Sequence, residues 1–143
     1  MRAAISFSIF LGLVWSTLAV CLIGNKGADS FRPSWLLAGA IAGAVAGLFT
    51  VWSRRRRNGA ESILYGVATY YLGILTYWAG IVVIERVLMC LQVVDWTDFD
   101  LRDPLAMILI FLFYGTIWFG IILIPLCFLS RYIVWRIYRR FAA

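Results

Sequence analysis

The chain has 143 residues, 64% of them hydrophobic and 14% charged, with a mean hydropathy of +0.91 and a formal net charge of +6. Soluble domains are about 45–50% apolar and about 25% charged, so no water-facing fold of this length hides so much apolar surface, and the expected solvent is lipid. There is no histidine, which excludes His-ligated haem, His-containing metal sites and imidazole acid–base chemistry.

The length allows one domain, 1–143, with no room for a soluble domain beside the apolar runs. The basic residues flank those runs, so the positive charge points to a membrane surface and not to nucleic acid.

The first run covers about 4–23. Within it, Leu18, Ala19, Val20 and Cys21 resemble a lipoprotein cleavage site. Val20 is a poor residue before such a cut and Arg2 alone is a thin positive region, so the run is expected to be retained as a span.

The second run, about 34–52, follows Pro33, a residue suited to a helix start. Gly39, Gly43 and Gly47 repeat every four residues, as do Ala38, Ala42 and Ala46, with Ala40 and Ala44 as a further row. Residues four apart share a helix face. A face this bare lets another helix approach closely, which is how helices associate in lipid. The partner is a helix of the same chain or of a second copy.

Arg54, Arg55, Arg56 and Arg57 follow as a compact block. The block is expected to anchor topology and to contact anionic lipid or a partner. Asn58 to Glu61 has the spacing of a capping box ahead of the third run.

The third run covers about 62–94 and carries Gly66, Gly73 and Gly80 seven residues apart. That spacing gives a nearly straight stripe, expected to dock on the second run. Glu85 and Arg86 interrupt it. Glu85 lies about 34 Å along a helix from Ser62, beyond a hydrocarbon core of about 30 Å. Both are therefore expected at the outer interface, and the sharper alternative is a gate or ion contact. The acidic and aromatic stretch of Asp95, Trp96, Asp98, Phe99 and Asp100 reads as an extension resting on the outer leaflet. It lacks calcium-loop spacing, and no metal site is expected.

The fourth run, about 105–130, opens after Asp103 and Pro104, a capping carboxylate before a first-turn proline. Pro125 is expected to kink it. The tail, about 131–143, reads as a helical continuation of this run, basic and amphipathic. Ile133, Ile137 and Phe141 form one stripe, and Arg136, Arg139 and Arg140 lie near another. Such a helix suits lipid headgroups or an acidic cytosolic partner.

Lysine and arginine set the direction of membrane proteins. Arg2, the four arginines at 54–57, Arg131, Arg136, Arg139 and Arg140 fall on one side, nine in all, against four on the other: Lys26, Arg32, Arg86 and Arg102. The nine-residue side is expected in the cytoplasm. Only Glu61 among the acids lies there.

The three cysteines, Cys21, Cys90 and Cys127, form no CxxC. Cys21 and Cys90 both approach the outer side, where an oxidising compartment allows a disulfide. No phosphate-binding loop, nucleophile elbow or metal motif is present. The expected fold is an all-α membrane protein, an antiparallel four-transmembrane-helix bundle in the plasma (inner) membrane with both termini inside. The expected role is non-enzymatic and needs no cofactor. It is that of an oligomeric scaffold, sensor or subunit of a larger complex, contacting membrane lipids and a cytosolic protein. The alternative is a homo-oligomeric pore, channel or small transporter lined by Glu85 and the span hydroxyls.

Overall fold

A computed structural model describes residues 1–23, 33–58, 60–91 and 104–142. The acidic and aromatic stretch at 95–100, Lys26, Arg32, Arg102 and Asp103 lie outside them, as does the end of the third run beyond Leu91. The described residues are helical apart from Met1, a turn at Leu91 and the stretches 57–58 and 60–62, with no strand among them. Four helices follow in order: α1 (Arg2–Ile23), α2 (Pro33–Arg56), α3 (Ile63–Cys90) and α4 (Pro104–Ala142). Three stretches are long and apolar enough to cross a membrane: Ser34–Arg56, Ile63–Leu88 and Gly120–Phe141. In α1 the shorter apolar stretch Arg2–Leu18 joins them.

Local chemistry explains most of the helix ends. Pro33 and Pro104 open α2 and α4, where a missing N–H costs no helical bond. At the end of α2, Arg54, Arg55 and Arg56 occupy the last turn, complementing the negative end of the helix dipole. Asn58 then takes a positive φ of 51°, a conformation asparagine tolerates better than most residues. This reverses the chain toward α3.

The expected capping box does not form. α3 begins at Ile63, and its first bond runs from the Gly66 N–H to the Ser62 carbonyl at 2.9 Å. The Glu61 carboxylate instead accepts from two arginines, as described below. Pro125 sits inside α4, which continues through it for 39 residues in all. Neighbouring helices make such a proline tolerable.

α1 and α2 pack as antiparallel neighbours through their small residues. A Cβ on Gly12 would strike the Gly39 carbonyl oxygen and lie 3.0 Å from the Gly43 Cα. One on Gly39 would lie 2.5 Å from the Ser16 Cβ, and one on Gly47 would lie 2.5 Å from the Ser8 Cβ. The partner face on α1 is thus Ser8, Gly12 and Ser16, itself a every-fourth-residue row. Gly39, Gly43 and Gly47 all turn toward it.

α3 runs antiparallel to α2. Gly80 faces Ala38 with 3.3 Å for a Cβ, and Phe49 lies 6.0 Å from Tyr65 between ring centroids. The other two glycines of the expected stripe go elsewhere. Gly66 faces the Phe128 ring on α4, and nothing lies within 4 Å of a Cβ on Gly73. A straight stripe cannot stay on one neighbour when the partner helices cross it. Ala4, Val51 and Val134 form an apolar cluster at the end bearing the arginine block, with Phe7, Leu11 and Tyr138 packed around them.

Burial is inverted relative to a water-soluble fold. Among the described residues, nine polar or charged side chains are buried and only seven apolar ones. Large apolar residues face outward on every helix, including Phe10, Leu48, Leu64, Phe113 and Ile121, the last 85% exposed.

Candidate functional site

The most distinctive chemistry lies at the arginine-rich end, around Arg131. This residue follows the apolar part of α4, yet it is only 2% exposed. A guanidinium has five N–H donors and no acceptor, and each donor has a partner here. Nε reaches Glu61 Oε1 at 3.2 Å, and Nη2 reaches the same oxygen at 3.0 Å and Ser53 Oγ at 3.1 Å. Nη1 donates to Thr50 Oγ1 at 3.4 Å and to Thr69 Oγ1.

The acceptors are poised by their own helices. Thr50 donates its hydroxyl proton to the Ala46 carbonyl at 2.8 Å, Thr69 to the Tyr65 carbonyl at 2.6 Å, and Ser53 to the Thr50 carbonyl at 3.1 Å. With their protons directed into the backbone, the hydroxyls present lone pairs to Arg131. Thr50 and Ser53 are themselves fully buried.

Glu61 serves two arginines at once. Its Oε1 faces Arg131, and its Oε2 pairs with Arg54 Nη2. The carboxylate is 28% exposed, while Arg54 and Arg131 are almost fully enclosed. The cluster therefore contains two positive charges and one negative, and it joins α2, the α2–α3 connection, α3 and α4. Arg54 is accordingly not part of an exposed block. Helical rotation turns it inward at 5% exposure while Arg55, Arg56 and Arg57 remain exposed.

The tail continues α4 as one helix. Arg131, Val134 and Tyr138 form its inward face. Phe141, expected on an apolar stripe with Ile133 and Ile137, is 67% exposed. The inward face is set by continuation of α4 past Arg131. Arg136, Arg139 and Arg140 are exposed.

At the opposite end lies Glu85. It is 3% exposed and accepts a hydrogen bond from Ser34 Oγ in the first turn of α2. A carboxylate beside a helix N-terminus is favoured by the dipole. Arg86, the next residue, is exposed. Nearby, Ser16 donates to the Trp35 carbonyl at 2.7 Å and lies 3.4 Å from the Tyr77 hydroxyl.

The span threonines bond to their own helices: Thr76 to the Leu72 carbonyl and Thr116 to the Leu112 carbonyl, both at 2.7 Å. Cys90 is free and exposed, and Cys127 is free and partly enclosed. The Cys21 side chain lies outside the described set.

Sequence reasoning missed Arg131, Glu61, Thr50, Ser53 and Thr69 as one unit. The available signal was Glu61, the single acid among nine basic residues on its side. The α1 row of Ser8, Gly12 and Ser16 was also readable from its spacing. Among the described residues, no group of histidine, cysteine or acidic side chains is placed to hold a metal ion. Comparison with protein-family models, with curated proteins and with solved structures finds no match for this chain.

Proposed function

We propose that the chain is a non-enzymatic membrane scaffold whose four helices cross the bilayer with both termini on the cytoplasmic side. The arginine-rich end then lies on the inner leaflet of the plasma (inner) membrane. Exposed Arg55, Arg56, Arg57, Arg136, Arg139 and Arg140 contact anionic headgroups and a cytosolic partner. The protein works as an oligomer or as a subunit of a larger complex.

The observation that carries this reading is the saturation of Arg131. A polar interior in which every donor of the central guanidinium is used within one chain favours holding helices together over moving a solute. The outward apolar side chains support lipid as the surrounding medium.

Two experiments test it. In a variant with all three native cysteines changed to serine, Asn58→Cys should resist a membrane-impermeant maleimide in intact cells and react after lysis. Labelling from outside would reverse the orientation. Purified protein in liposomes should carry no ion flux under a gradient. Flux abolished by Glu85→Gln would replace the scaffold with a pore.

A further inference from the structure

At the inner end of α2 and α3, five aromatic and basic side chains form a shelf that the buried arginine cluster does not use. Phe49 and Trp52 lie on α2, with ring centroids 5.6 Å apart. Tyr65, in the first turn of α3, lies 6.0 Å from Phe49 and 6.4 Å from Trp52, the latter nearly edge-on at 83°. Two guanidiniums cover this surface. Arg56 sits over the Trp52 ring at 4.6 Å, and Arg57 lies 6.0 Å from the Tyr65 ring centre.

The placement follows from the local chain. Trp52 and Arg56 are four residues apart on one helix face. Arg57 leaves the helix, and its carbonyl accepts the Ala60 N–H at 3.0 Å as the chain reverses at Asn58. That turn brings Arg57 to α3. Trp52 is 45% exposed, and Arg56 and Arg57 are exposed. Aromatic rings of this kind sit at headgroup level in membranes. An arginine resting on a ring keeps its N–H fork available for a phosphate.

We infer that this shelf is a discrete site for one anionic phospholipid, with the phosphate held between Arg56 and Arg57 and the glycerol and upper acyl chain lying along Phe49, Trp52 and Tyr65. The inference rests on the membrane orientation proposed above. Charge complementarity and the two-helix aromatic floor distinguish the shelf from a general basic surface. Two adjacent positive charges fit a phosphate, and the apolar floor fits the part of a lipid that a soluble anion lacks.

The test is native mass spectrometry of the whole chain in neutral detergent with phosphatidylglycerol added. The unaltered protein should retain one tightly held phosphatidylglycerol, with further copies bound weakly. Combining Arg56→Gln and Arg57→Gln should weaken the tight copy about thirtyfold, the product of two basic contacts at an anionic surface. Trp52→Leu should weaken it about threefold. Combining Arg139→Gln and Arg140→Gln should lower only the weak copies.

Equal losses in the two arginine pairs would sink the discrete site and leave the inner-leaflet reading standing. Displacement by inorganic phosphate as readily as by lipid would show a soluble-anion site and overturn the lipid assignment. If the unaltered protein holds phosphatidylglycerol no better than phosphatidylcholine, both the site and lipid anchoring fail. The exposed positions of Arg56 and Arg57 keep misfolding from mimicking these outcomes, and thermal stability in lipid-free detergent checks it.

Discussion

Arg131 on α4 and Glu61 on the α2–α3 connection meet through a single carboxylate oxygen, which accepts Nε at 3.2 Å and Nη2 at 3.0 Å. The other oxygen of Glu61 is taken by Arg54. One carboxylate therefore compensates two enclosed guanidiniums on different helices. Its loss should cost far more than that of a surface ion pair.

Glu61→Ala should destabilise the fold by about 3–5 kcal/mol, the range for stranding a buried charge. Both arginines would then repel each other without a counter-charge. Thermal unfolding in detergent, followed by size-exclusion fluorescence, measures it. A loss within the range of an ordinary surface mutation would show that the cluster contributes little.

Arg131→Lys conserves the charge but supplies three donors where five are used. The remaining acceptors cannot all be reached by one ammonium. A stability loss of about 1–3 kcal/mol is expected in the same assay. Wild-type stability would mean that charge alone matters at this position.

Gly12→Ala and Gly73→Ala should behave in opposite ways. A Cβ at position 12 runs into the Gly39 backbone, whereas one at 73 meets nothing within 4 Å. The first should cost about 1–3 kcal/mol through overpacking. The second should be neutral or stabilising by up to about 1 kcal/mol, since alanine is the better helix former. Equal responses would contradict the α1–α2 contact.

Ser34→Ala removes the hydroxyl that donates to the enclosed Glu85 carboxylate. A loss of about 1–3 kcal/mol is expected. Glu85→Gln retains an oxygen acceptor for Ser34 and should cost less. The reverse order in thermal unfolding would assign Glu85 a role other than pairing with α2.

Cys90 offers an independent check on direction. It closes α3 at the end away from the arginine cluster and its thiol is exposed. In a Cys21→Ser background, an impermeant maleimide should label Cys90 from outside intact cells. Cys127, partly enclosed with its Sγ 3.8 Å from the Gly66 carbonyl, should react slowly. Protection of Cys90 until lysis would contradict the orientation.

The sequence by itself determined the helical elements and pointed to lipid as their medium. Apolar runs too long for a soluble core, prolines at two helix starts and arginines beside the runs are local features, and local energetics decides them. Periodicity also exposed the bare face of Gly39, Gly43 and Gly47. Only tertiary structure decided what that face met, and it chose Ser8, Gly12 and Ser16 of the same chain. It likewise turned Arg54 inward from three exposed neighbours and drew Glu61 from an expected cap into a two-arginine pair. A helical repeat fixes which side chains share a face, but the rotation of each helix against its neighbours depends on side chains far apart in the chain. That rotation decides which charges find partners.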